Sequence, residues 1–203
     1  MTKLKYILND TIKFNNLKSK PFLCDDMSVK QSDKEYTLCE GCIKDHPQFG
    51  YLQLYYGKTP YLYVTTPPMK CLFGIQKNGS SFQMSLQFTN VKEDKQMSSF
   101  FEFIRQVEFE CMKQLGLNAA ETEKFISQIK YDKKEIYEPN LSIKLPFSYN
   151  KFQTDIYSDH TNILNIFQIK PFTRMQCDIY LDKIWKMNDK FYTKWKCQII
   201  HLL

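Results

Sequence analysis

The segment SFQMSLQFT (81–89) alternates strictly between apolar and polar residues. Successive side chains of a strand point to opposite faces, so Phe82, Met84, Leu86 and Phe88 would face a core, and Ser81, Gln83, Ser85 and Gln87 water. MKCLFGIQ (69–76) repeats the pattern with Met69, Cys71, Phe73 and Ile75 on one side. Asn78-Gly79 between the two segments is a hairpin signal. Upstream, YLQLYY (51–56) and PYLYVTT (60–66) read as two strands paired across a turn at Gly57-Lys58, and Pro67-Pro68 ends the run.

The period then changes. From Asp94 to Leu115 the apolar residues Met97, Phe100, Phe101, Ile104, Val107, Cys111 and Leu115 recur at helical spacing. Asp94 suits the cap of such a helix and Gly116 its end. A second helix is expected from Asn118, with Glu121 completing a capping box and Phe125, Ile126 and Ile129 inward.

The last third returns to alternation. LSIKLPF (141–147) places Leu141, Ile143 and Leu145 on one face, and NILNIFQIK (162–170) reads as a short strand. RMQCDIYL (174–181) turns Met175, Cys177, Ile179 and Leu181 inward. After a tight connection at Asn188-Asp189, FYTKWKCQIIHL (191–202) would turn in Phe191, Trp195, Cys197 and Ile199. Trp185 falls where the alternation slips, at a possible bulge, which leaves its face open. Residues 1–50 are less regular: Lys5 to Phe14 is one candidate strand, followed by Lys-, Asp- and Ser-rich sequence.

This succession predicts a mainly β fold with a helical insertion (α+β): an OB-like Greek-key barrel with two helices between the strand sets. One domain over residues 1–203 is expected. Residues 1–50 would form an N-terminal extension or subdomain, and 51–203 an OB-like core with the helical insertion at 94–130.

The chain has 203 residues and a net charge of +6. Arg105 and Arg174 are its only arginines, so the basic charge is almost wholly lysine. Ammonium groups suit contact with a phosphate backbone, whereas base-edge readout favours the guanidinium fork. Seven irregularly spaced cysteines, a first segment too polar for a signal peptide and the lack of a membrane-length apolar run lead us to expect a reducing intracellular compartment.

Catalytic motifs are missing: there is no GxSxG, Walker loop, GxGxxG or HExxH, and only three histidines. An enzyme is therefore not expected. Cys39-Glu-Gly-Cys42 with His46 is the one metal-like constellation, with Cys24 or Cys71 as an available fourth ligand. Zinc modules carry two such pairs, so a reduced loop dithiol is expected and no cofactor.

The polar sides of the strands carry more information. Parity places Tyr51 and Tyr55 outward on one strand and Tyr61 and Tyr63 on the next, with Lys70, Lys144, Lys170 and Arg174 on or beside later ones. Tyr192, Lys194 and Lys196 alternate outward on the last. Rings beside ammonium groups on a β-surface suit sequence-tolerant binding of single strands, because any base stacks and the lysines follow the phosphates. The plainer explanation is that tyrosine favours strands and lysine keeps sheet edges soluble.

PNLSIKLPF (139–147), KFQTDIY (151–157), IKPFTRMQCDIYLDKIW (169–185) and KFYTKWKCQII (190–200) resemble the core of OB-fold single-stranded-DNA-binding proteins of large nucleocytoplasmic DNA viruses, of the poxvirus, asfarvirus and algal-virus type. The resemblance covers roughly residues 68–203. It implies sequence-independent binding of single-stranded DNA in viral DNA replication, recombination or repair, in the host cytoplasm. Self-association and contacts with replication proteins are the further partners it implies. Lys144, Lys170, Arg174, Trp185, Trp195 and Lys196 match its pattern, although parity assigns Trp195 to the core. The alternative is a virion or scaffold protein that works through protein contacts.

Overall fold

The structure is a computed structural model that describes residues 17–22, 49–56, 58–158 and 165–203. The candidate strand at Lys5 to Phe14 and the Cys39, Cys42 and His46 constellation lie outside the described residues.

The strands in chain order are β1 (Leu17–Phe22), β2 (Phe49–Tyr56), β3 (Leu62–Thr65), β4 (Met69–Cys71), β5 (Gln76–Asn78) and β6 (Ser81–Gln87). Helix α1 (Lys95–Gln114) follows, then β7 (Phe125–Ile126), β8 (Ile129–Lys130), β9 (Asn140–Leu145), β10 (Phe147–Ser148), β11 (Lys151–Phe152) and β12 (Asp155–Ser158). The chain ends with β13 (Arg174–Leu181), β14 (Lys183–Met187), β15 (Lys190–Thr193) and β16 (Trp195–Leu202).

β16, β13, β4, β6 and β9 pair in that order, and a parallel β9–β16 contact closes the ring into a five-stranded barrel. β3 and β5 extend the curved first barrel strand, β3 pairing with β13 and β5 with β6. This is the strand order of an OB-like barrel, with the helix inserted between the second and third barrel strands. A second sheet, β1-β2-β14-β15-β7, rises from the connection between β13 and β16.

Alternation set the faces as expected. β6 is buried at every second residue, and Phe82, Met84, Leu86 and Phe88 all point inward. Met175, Cys177, Ile179 and Leu181 of β13 are fully buried beside Leu141, Ile143 and Leu145 of β9. Helix α1 starts where expected: the Asp94 carboxylate accepts from the backbone N–H groups of Gln96 (2.8 Å) and Met97 (3.1 Å). The helix packs Phe100 against Phe88 and Phe103 against Trp195, closing one end of the barrel. Gln114 at its far end donates to the Leu17 carbonyl and ties α1 to the second sheet.

Other expectations are corrected. The segments 51–56 and 60–66 do not form a hairpin: beyond one bridge between Tyr56 and Thr59, β2 joins β1 and β14, while β3 joins β13. Phe73 is exposed, because the chain leaves β4 through a turn at Gly74 (φ +66°) that breaks the alternation. The second helix is a single 3-10 stretch, Ala119–Lys124, with the expected capping box. Its intended apolar face continues instead as β7 and β8, where Phe125 and Ile129 are buried and Ile126 is exposed. The buried Glu108 of α1 holds this stretch, accepting from Ser127 Oγ and the Gln128 N–H at 2.7 Å each. Within 162–170, the described part is a 3-10 turn, Ile166–Gln168, not a strand. In β16 the ladder slips opposite Asp178 and Ile179, so Ile200 rather than Ile199 reaches the core.

Candidate nucleic-acid interface

The barrel closure brings distant residues into one outward row. Gln83 of β6 pairs with Lys144 of β9, which pairs with Lys196 of β16. Lys196 pairs in turn with Tyr180 of β13, and Tyr180 with Tyr63 of β3. Tyr61 joins them: the rings of Tyr61, Tyr63 and Tyr180 lie 5.5–5.7 Å apart, centroid to centroid. Lys196 holds its ammonium 5.7 Å from the Tyr180 ring.

The second sheet carries a matching row. Trp185 of β14 pairs with Tyr51 of β2 on one side and Tyr192 of β15 on the other. The Tyr51 and Trp185 rings are 5.2 Å apart, and Lys183 sits 4.0 Å over Tyr51 and 5.3 Å over Trp185. Lys194 lies 5.2 Å over Tyr192. The opposite face of this sheet presents Leu52, Leu54, Ile184 and Phe191 to the core, so the aromatic row faces away from it.

Lys194 joins the two rows. Burial lowers the Lys144 pKa from its ordinary value, and the neighbouring charges of Lys194 and then Lys196 lower it further. Like charges held together this way form a field that an anion would relieve. Asp182 opposes it in part through an ion pair with Lys196 at 2.5 Å. Gln83, Gln128, Ser142, Lys144 and Lys194 line a shallow depression at the junction. Burial raises the Tyr63, Tyr180 and Tyr192 pKa values, so these phenols, neutral at physiological pH in any case, stay neutral further into the alkaline range.

Of the expected site residues, Tyr61, Tyr63, Lys144, Trp185, Tyr192, Lys194 and Lys196 therefore share one continuous strip. Tyr55 is half-buried on the same side of β2 as Tyr51. Lys70 and Arg174 pair with each other, six residues along β13 from Tyr180, which is about 20 Å at strand rise. Lys170 is exposed on the loop before β13, so these three cations stand apart from the strip. Trp195 is corrected outright: it is fully buried against Phe103 and cannot stack on a base.

Tyr51 and Gln83, expected to face outward, complete the strip together with Tyr180 and Lys183, which were not singled out. Tyr180 was legible, since it alternates with the inward Ile179 and Leu181. Lys183 was not, because parity resets between Leu181 and Asp182, which are buried in succession. Among the described residues no group of three or more His, Cys, Asp or Glu side chains is placed to hold a metal ion. No described helix is long and apolar enough to cross a membrane.

No protein-family model matches the chain, and no curated protein matches it in sequence. Among solved structures it is similar to the single-stranded DNA-binding protein from bacteriophage Enc34, in complex with ssDNA. The match has a TM-score of 0.48 and 9% sequence identity, and covers 74% of this chain and 89% of that one.

Proposed function

We propose that the chain is a non-enzymatic, sequence-tolerant binder of single-stranded DNA. One observation carries the reading: two groups of neutral rings flank a central run of ammonium groups along a single outward strip that crosses from the barrel to the second sheet. Phosphates would follow Lys183, Lys194, Lys144 and Lys196. Bases would stack on Tyr51, Trp185 and Tyr192 at one end and on Tyr61, Tyr63 and Tyr180 at the other. Each stacked base is worth about 1–3 kcal/mol and depends little on base identity. A cationic strip without arginine also lacks the fork that reads guanine edges. The viral resemblance of residues 68–203 supports a place in genome replication, recombination or repair.

Fluorescence anisotropy with single-stranded DNA, duplex and RNA of equal length tests this. Single-stranded DNA of mixed and homopolymer sequence should bind with similar Kd and more tightly than duplex. Four ammonium contacts at about 0.7 each give a log–log salt slope of about −3. Equal affinity for duplex, or no salt dependence, would overturn the proposal. Stable oligomers without any DNA binding would favour the scaffold alternative.

A further inference from the structure

Lys70, Lys170 and Arg174 stand beside a second aromatic surface. Backbone bonds clamp the loop after β4 to the loop before β13: the Phe172 N–H donates to the Cys71 carbonyl at 2.6 Å, and the Cys71 N–H to the Thr173 carbonyl at 2.9 Å. Gly74 closes this contact, since a Cβ there would meet the Ile169 carbonyl oxygen at 2.7 Å. The clamped loops expose Phe73 and Phe172. Phe167, on the same loop five residues before Phe172, and the β10–β11 hairpin form a ring cluster with Phe82, at centroid distances of 4.8–5.6 Å.

Two aromatic residues in this region hold left-handed backbone conformations. Phe172 has φ +65° and is 64% exposed, and Tyr149 at the tip of the β10–β11 hairpin has φ +51° and is 99% exposed. At Tyr149 and its neighbour Asn150 (φ +55°) the two-residue hairpin turn itself requires this conformation. At Phe172 it costs about 1–2 kcal/mol, of which a ring mostly in water recovers little through packing. Strain and exposure together point to a contact made with something else. The charge is one-sided. Across 69–83, 145–154 and 165–176 the chain carries Lys70, Lys77, Lys151, Lys170 and Arg174 with no carboxylate.

Resting on the single-strand reading above, we infer that this surface is a second stacking and phosphate-binding patch for the same strand. The outer face of β13 and β16 connects it to the first strip. Gln176 pairs there with His201, whose ring stacks on Tyr157 at 5.7 Å, and Asp178 is occupied by Thr65 Oγ and His201. A strand too short to bridge the roughly 20 Å between the patches uses one of them, and a longer one uses both.

The test is anisotropy with oligo-dT from about 4 to about 16 nucleotides, the range one barrel covers. Wild type should gain about tenfold or more in affinity once the strand reaches both patches. In Phe73→Ala/Phe172→Ala that gain should fall below about twofold. In Lys70→Gln/Lys170→Gln/Arg174→Gln the long-strand salt slope should flatten by about 2, three contacts at about 0.7 each. Far-UV circular dichroism and emission from the buried Trp195 verify the fold of both variants.

Survival of the length gain and of the slope in both variants would overturn the inference, and is the result expected if the patch receives an acidic protein segment instead. A wild type that binds short strands with no length gain also overturns it, while leaving the first strip's function standing. Absence of binding at every length overturns both.

Discussion

Trp185 and Trp195 stand ten residues apart on the path that leaves the barrel through β14 and returns through β15, and they have opposite surroundings. Trp195 opens β16 with its ring fully buried against Phe103 of α1. Trp185 lies half-exposed between Tyr51 and Tyr192 with the Lys183 ammonium over it. The same indole group closes the core in one place and offers a face to solvent in the other. What separates them is the reset of parity between β13 and β14, where Leu181 and Asp182 are buried in succession. The interior of the barrel is thus organised by packing, and the outer strip by charge and half-exposed rings.

The strongest challenge to that contrast is Trp195→Ala. Removing a fully buried indole should cost about 3–5 kcal/mol, read as a fall in the urea midpoint. A loss below about 1 kcal/mol would mean that the barrel end is not sealed by this ring. Trp185→Ala should do the reverse. Stability should stay within about 0.5 kcal/mol, as for other surface substitutions. Affinity for single-stranded DNA should fall by about 1–3 kcal/mol, the worth of one stacked base. Since Trp195 is buried, quenching of tryptophan emission by DNA should come from Trp185 and vanish in this variant.

The smallest expected effect is on pH dependence. The Lys144 pKa lies below its ordinary value because burial, Lys194 and Lys196 all disfavour its charged form. As pH rises, Lys144 therefore loses its proton before an ordinary lysine would, and its attraction for phosphate disappears. A bound phosphate favours the charged form, so binding should take up protons in the alkaline range. Affinity of the wild type should decline there sooner than that of Lys144→Arg, whose guanidinium stays charged. Superimposable profiles would show that Lys144 does not meet the strand.

Much of this architecture could be read from the chain. Phe82, Met84, Leu86 and Phe88 faced the core because alternation constrains a half-buried strand to one orientation. Asp94 began α1 because a short acceptor satisfies the orphan N–H groups of the first turn. The reading failed where local signals allowed two outcomes. Tyr51 to Tyr56 and Pro60 to Thr66 look like a hairpin, yet β2 lies between β1 and β14 and β3 pairs with β13, the last two more than a hundred residues later. Phe125, Ile126 and Ile129 suited a helix face and two short strands equally well, and the buried Glu108 favours the strands by accepting from the Ser127 hydroxyl and the Gln128 N–H of the residues that link them.

The candidate site divides in the same way. Outward orientation of Tyr63, Lys144, Tyr192, Lys194 and Lys196 follows from period-two geometry, a property of each strand alone. Their assembly into one strip depends on the parallel register of β9 with β16 and on β14 joining β2. The separation of Lys70, Lys170 and Arg174 from them depends on position along β13. Local pattern decides which side of a strand meets water, because neighbouring side chains compete for the same core. Which strands become neighbours is decided by closure of the whole barrel, since ladder hydrogen bonds are alike for every pair and only packing of the complete core discriminates among them.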